Sequence, residues 1–323
     1  MSRVTGRPGA GVPEGVPYHL VLSQSVKGRG IWRGILAIVL LYGGLIGFGA
    51  IAAQIGGQID LLFGRSNRMN GGSDFTPVLF ATTFASTALL IPWSMLLQRW
   101  LYGVEGRSMH SVTGVFRMAL LGRAIVVVVP IWALYLVVLA AFEPSAVADW
   151  STGDLLLMFI VSIVLIPLQC AGEEYGYRGL VFRVAAGWGR GARSSLILGV
   201  TVSSVVFAVI HGAADPWLSF QFLAAGVASA LITWRTGGLE TAVVLHAANN
   251  SLATMLALAL RADLNAVTDR SAGVGSVVFL IPVVLVTVIT AVIWYRTRRT
   301  GPALTPSGAT PSRQGDRYDH SGA

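Results

Sequence analysis

The sequence predicts an all-α protein of about eight membrane-spanning helices, and three observations carry that prediction. Of the 323 residues 54% are hydrophobic and only 12% charged, and the mean hydropathy is +0.68, a composition of polytopic membrane proteins rather than soluble domains. The apolar residues gather into separate runs long enough to cross a bilayer. The connections between runs alternate in charge, basic on one side and acidic or neutral on the other. The net charge of +8 is therefore a matter of topology: the arginines lie between apolar runs and in the tails, not along a phosphate-binding stripe, so no nucleic-acid partner is expected.

In chain order, residues 1–33 are rich in Gly, Pro and basic residues (Arg3, Arg7, Lys27, Arg29, Arg33) and read as a disordered or surface-associated cytoplasmic tail. The run from Gly34 to about Ile55 has basic flanks, and Ala50-Ile51-Ala52 weakly resembles a signal cleavage site, but its length favours a retained helix. Further spans are expected at about Thr76 to Leu97 and Ala119 to Phe142, which completes three N-terminal helices over 34–142. Next come Asp154 to Ala171, continuing through an acidic pair, then Ser194 to His211, Trp217 to Trp234 and Leu239 to Leu260, together a core over 153–260. The last helix is expected over 273–295, and 300–323 has the composition of a disordered tail.

Arg99, Arg107, Arg117 and Arg123 mark one face, Glu143, Asp149 and Asp154 the other; Arg178, Arg183, Arg190, Arg193, Arg296, Arg298 and Arg299 return to the first. The alternation places both termini in the cytoplasm, in a membrane expected to be a bacterial plasma membrane. Gly43, Gly47, Ala81 and Ala85 supply small-xxx-small spacings for helix packing. The lone cysteine, Cys170, permits no internal disulfide and reads as a small buried residue.

Chemistry concentrates in the polar residues of the core, because an ionisable group in hydrocarbon is costly without a partner or a wet cavity. Glu173 and Glu174 follow seventeen apolar-rich residues. Glu174 and Arg178 are four apart and share a helical face, so they suit an ion pair, whereas Glu173 points about 100° away and is free to face a cavity. His211 ends its run one turn after Phe207. His246 and Asn250 share a face of a later helix, with Asn249 near it. One Glu, two His and one Asn on three helices suit a water-activating site with Glu as general base, or equally a divalent metal such as zinc held by Glu173, His211 and His246. Spacing does not choose between them. There is no His-Glu-x-x-His helix and no Gly-x-Ser-x-Gly elbow, and Gly187, Gly189 and Gly191 lack the context of a nucleotide loop.

Three ordered segments, Glu-Glu-x-x-x-Arg at Glu173, Glu174 and Arg178, Phe-x-x-x-His at Phe207 and His211, and His-x-x-x-Asn at His246 and Asn250, resemble the CPBP intramembrane proteases, the CAAX-protease and bacteriocin-processing or Abi family. The resemblance covers roughly Leu155 to Leu260. It implies helices enclosing a polar intramembrane cavity in which Glu173 activates water for peptide-bond hydrolysis. His211, His246 and Asn250 then position that water and stabilise the oxyanion, with Glu174, Arg178 and Phe207 in support. It further implies a membrane-associated protein or peptide as substrate, CAAX-type processing being one form, and leaves metal dependence open. A noncatalytic membrane protein or ion-coupled carrier built on the same polar cluster is the competing class. The site requires that Glu173, His211 and His246 meet at one depth, which the fourth helix permits only if it runs on well past the acidic pair.

Overall fold

A computed structural model describes residues 10–25, 30–72, 75–142 and 146–307. Arg3, Arg7, Lys27, Arg29, Glu143 and residues 308–323, to which tail or topology roles were ascribed above, lie outside these. The helices are α1 (Ile31–Leu62), α2 (Pro77–Ala88), α3 (Leu90–Tyr102), α4 (Met118–Phe142), α5 (Thr152–Glu174), α6 (Phe182–Ala186), α7 (Ala192–Ile210), α8 (Pro216–Thr236), α9 (Glu240–Ala259), α10 (Leu264–Val267) and α11 (Leu280–Thr297). No strand forms among the described residues beyond isolated bridges. Eight helical segments are long and apolar enough to cross a membrane, as the hydropathy pattern requires.

Two spans differ in detail from the expectation. The second is broken at Leu89 into α2 and α3, a single segment of 26 residues over Pro77–Tyr102. Thr76 starts it, its side chain accepting the Leu79 N–H ahead of Pro77 at the first helical position. The fourth does not end near the acidic pair. Thr152–Ala186 is one 35-residue helical rod in which α5 passes into a π-helical stretch, Tyr175–Val181, and then α6. From Glu174 to Ala186 the rod runs on for twelve residues, about 18 Å. That continuation lets α9, whose His246 lies only six residues after Glu240, meet α5 at one level.

Helix approach depends on glycines other than those the spacing nominated. Gly43 and Gly47 face open space and Ala85 is exposed, because the packed side of α1 is the one carrying Gly34 and Gly44. A Cβ on Gly172 would run into the backbone of Thr87 and Ala88, at the α2–α3 break. The small residue just before Glu173 thus brings the acidic pair against that break.

The N-terminal segment is not a solvated tail. Tyr18, Val21 and Leu22 are buried in the main apolar cluster with Leu97, Met109 and Phe182. The Tyr18 hydroxyl donates to the Met109 carbonyl (2.6 Å), and the Arg183 guanidinium lies over its ring at 3.9 Å. The start of the C-terminal tail is also held: Thr305 N–H donates to Val16 O (2.9 Å) and its hydroxyl to Pro13 O (2.7 Å). Composition missed this because a few aromatic and aliphatic residues suffice when the rest of the bundle provides the core.

His19 is buried beside Phe182, with neither ring nitrogen hydrogen-bonded among the described residues. Burial, reinforced by the nearby Arg183 cation, pushes it down from 6.5 to about 4. The unfolded chain therefore binds more protons across that window, so stability rises with pH through it and is lost as pH falls. The melting temperature in detergent should drop between about pH 6.5 and about 4. His19→Phe, which keeps a ring and removes the titration, should reduce that drop; an unchanged pH dependence would contradict the assignment.

Candidate active site

The site lies where α9 packs on α5 and α7 packs on the π-helical stretch that continues α5. Glu174 is fully buried, and its Oε1 accepts from Arg178 Nη1 (3.1 Å) and from His246 Nδ1 (2.9 Å). Arg178, also fully buried, lies over the Phe207 ring at 4.2 Å. The i,i+4 pair inferred from spacing thus forms, although the helix widens to π geometry immediately after Glu174.

Glu173 is held differently. Its Oε1 accepts from Gln169 Nε2, one turn earlier, at 2.5 Å. Its Oε2 is buried without a hydrogen-bond partner among the described residues and stands 3.6 Å from His246 Nε2. His246 is therefore clasped between the two carboxylates, Nδ1 toward Glu174 and Nε2 toward Glu173. Gln169 carried no sequence signal beyond its place in an apolar run one turn before Glu173. Cys170 is buried, its Sγ donating to Gln169 Oε1 (3.3 Å), which agrees with a packing role.

Phe207 links the two histidines, its ring centroid 5.7 Å from that of His246 and 4.5 Å from that of His211. His211 Nδ1 lies 2.7 Å from the Phe207 carbonyl. A carbonyl only accepts, so Nδ1 carries the proton and Nε2 of the neutral ring is an acceptor. The His211 ring stacks on Phe222 at 4.1 Å.

Spacing left Asn249 and Asn250 undivided; a third residue separates them. Trp132 Nε1, which can only donate, lies 3.1 Å from Asn249 Oδ1. That bond turns Asn249 Nδ2 toward Asn250 Oδ1 (3.0 Å) and so leaves Asn250 Nδ2 as the amide donor for a ligand. Trp132 belongs to α4, in the N-terminal part of the chain to which no signature was ascribed.

A cavity of about 120 Å³ joins His211, His246, Asn249, Asn250 and Glu174. Trp132, Phe207, Phe222 and Val286 contribute apolar wall, and Gln221, Ser229 and Arg270 add further polar groups. Glu173 is not one of its lining residues; its free oxygen meets the cavity through His246. Among the described residues no three of His, Cys, Asp and Glu are gathered so as to hold a metal ion. Glu173, His211 and His246 do not form such a set: His246 directs both nitrogens at carboxylates and His211 is set apart across Phe207.

Part of the chain is similar to a known family. Residues 152–252 match the family described as type II CAAX prenyl endopeptidase Rce1-like. With its eight apolar spans the chain is an integral membrane protein. The uncharacterized protein YyaK of Bacillus subtilis (strain 168) is 24% identical over 119 residues, 35% of this chain and 38% of that protein. The match thus spans well under half the length of that relative. No solved structure matches the chain. The Rce1-like segment contains Gln169, both glutamates, Arg178, Phe207, His211, His246 and Asn250, whereas Trp132 comes from outside it.

The Glu174–Arg178 pair should dominate stability here. Removing one partner leaves an uncompensated buried charge, at a cost of about 3–5 kcal/mol. Arg178→Met and Glu174→Gln should each lower the yield and melting temperature of detergent-purified protein, and Glu173→Gln should leave both near wild type. Equal losses for the two glutamates would contradict the division.

Proposed function

We propose that the chain is an intramembrane endopeptidase that hydrolyses a peptide bond of a membrane-associated protein or peptide with Glu173 as general base. The observation that carries this reading is the asymmetry of the acidic pair: Glu174 Oε1 is shared by Arg178 and His246, whereas Glu173 forms no ion pair with an arginine among the described residues, its Oε1 held by Gln169 and its Oε2 beside His246 Nε2, each glutamate keeping its Oε2 buried without a hydrogen-bond partner. The Rce1-like match supports a protease of CAAX type at the level of the family. A peptide bearing a C-terminal lipid is accordingly the first substrate to try.

His246 Nδ1 donates to Glu174 and so holds the ring beside Glu173. A water at Glu173 Oε2 can donate one hydrogen to that carboxylate and present its oxygen to the substrate carbonyl carbon. As the C–O bond forms, Glu173 takes the water proton, the carbonyl becomes an oxyanion, and Asn250 Nδ2 donates to that oxyanion. Collapse breaks the C–N bond, and protonated Glu173 returns the proton to the leaving amine, giving one carboxyl and one amino product. Base catalysis of this kind is worth about 10²–10⁴-fold and an oxyanion donor about 10²–10³-fold. His211, by its free Nε2, holds a second hydrogen of the bound peptide or water. Gln169 holds Glu173 in place.

Cleavage by purified protein in proteoliposomes, read by mass spectrometry of peptides ending in a lipidated cysteine motif, tests this. Glu173→Gln should retain the fold and lose cleavage, and an active variant would refute the role. Asn250→Ala should lower kcat by about 10²–10³-fold with a smaller change in KM. Trp132→Phe, which frees Asn249 to rotate, should lower kcat in the same sense but by less.

A further inference from the structure

The cavity is not placed symmetrically in the bundle. On α8 its walls run from Gln221 to Ser229, across the middle of that helix, on α9 from Leu245 to Asn250, and on α11 from Pro282 to Val286, near the start of that helix. His211 terminates α7, and Arg270 belongs to the connection between α9 and α11. His211, Arg270 and the α11 positions lie toward the end of the bundle formed by the connections 211–215 and 260–276. Exposure follows the same direction: Arg270 is exposed and Gln221 and Phe222 half-buried, while Ala228, Ser229, Leu245 and Glu174 are buried.

Toward the opposite end there is no such gradient. Leu239, Glu240 and Ala242 are each 0% exposed. Glu240 is closed off by Arg117, which donates to both of its carboxylate oxygens (2.8 Å each). The connections there are stitched together, Val112 N–H to Gly237 O (2.7 Å) and Leu239 N–H to His110 O (3.1 Å). The N-terminal segment fills the space below, with Tyr18, Val21 and Leu22 at 0–1% exposure, and Ala303 and Thr305 tie the C-terminal segment across it. Among the described residues a hydrogen-bonded, side-chain-filled floor separates that face from Glu174 and His246.

The closed end carries Arg99, Arg107, Arg117, Arg183, Arg190, Arg193, Arg296, Arg298 and Arg299 beside Glu105 and Glu240, and the open end carries Asp149, Asp154, Asp215, Asp263 and Asp269 beside Arg65, Arg68, Arg261 and Arg270. By the distribution of positive charge the closed end faces the cytoplasm. We propose that the cavity is entered from the extracytoplasmic end, between the connections 211–215 and 260–276, and that its peptide is a segment presented from that half of the membrane and not a cytoplasmic tail. The statement about the peptide rests on the protease reading; the direction of entry does not.

A single buried native thiol, Cys170, makes entry measurable without a substrate. Ser229→Cys, nearly isosteric, places a thiol in the cavity wall; Ser271→Cys and Arg190→Cys place exposed thiols at the two ends, and wild type reports background. A membrane-impermeant sulfonated methanethiosulfonate is applied to intact cells and to inverted vesicles, followed by back-labelling under denaturation. Ser229→Cys should lose back-labelling from the same face as Ser271→Cys, that of intact cells, and keep it from the face that modifies Arg190→Cys. Gln221→Cys, nearer the mouth, repeats the measurement if Ser229→Cys does not fold. Modification from the Arg190 face, modification from neither face, or Ser271→Cys reacting only in inverted vesicles would overturn the proposal. Loss of cleavage activity is not part of the readout, so failure here is separate from failure of the protease assignment.

Discussion

The buried Glu174–Arg178 pair is the constraint on which the arrangement depends. Two charges at 0% exposure inside a helical bundle persist only when each finds compensation, and here a third group, His246 from α9, shares the carboxylate. That contact fixes where α9 meets α5 and which way the His246 ring faces. Its second nitrogen is thereby aimed at Glu173, so the anchor determines the geometry of the neighbouring, less engaged carboxylate. Phe207 completes the cluster, taking the Arg178 cation on its face while spacing the two histidines.

The rest of the chain serves this cluster in two ways. Gly172 allows the acidic pair to come against the broken second span, and Trp132, on a helix outside the Rce1-like segment, orients the Asn249–Asn250 pair. The floor made by the N-terminal segment, the Arg117–Glu240 pair and the start of the C-terminal tail closes one end of the bundle. Polar groups fixed among apolar walls such as Trp132, Phe207 and Phe222 act more strongly than the same groups in water.

The number of spans and the i,i+4 pairing of Glu174 with Arg178 were legible in the sequence, since both follow from periodicities fixed by the helix. The three segments name residues that the structure brings close together from α5, α7 and α9. Other features could not be read in this way. The 35-residue rod through Ala186 was hidden because hydropathy falls at Glu173 although the helix does not end. Gln169 and Trp132 look like ordinary members of apolar runs, and their roles arise from contacts 4 and 117 residues away in sequence. Pro- and Gly-rich composition concealed that Tyr18 and Leu22 are core residues. The ligand set of Glu173, His211 and His246 was permitted by residue type alone; the observed ring orientations do not gather it.

The central claim is that the two adjacent glutamates divide the work, Glu174 anchoring and Glu173 acting on water. The most direct measurement is an experimental structure of the Glu173→Gln protein with an uncleaved lipidated peptide bound. The account predicts a scissile carbonyl within hydrogen-bond reach of Asn250 Nδ2, its carbon facing the side chain at position 173, and an intact Glu174–Arg178 pair. A peptide whose scissile bond lies against Glu174, with position 173 remote and the Arg178 pair broken, would contradict it.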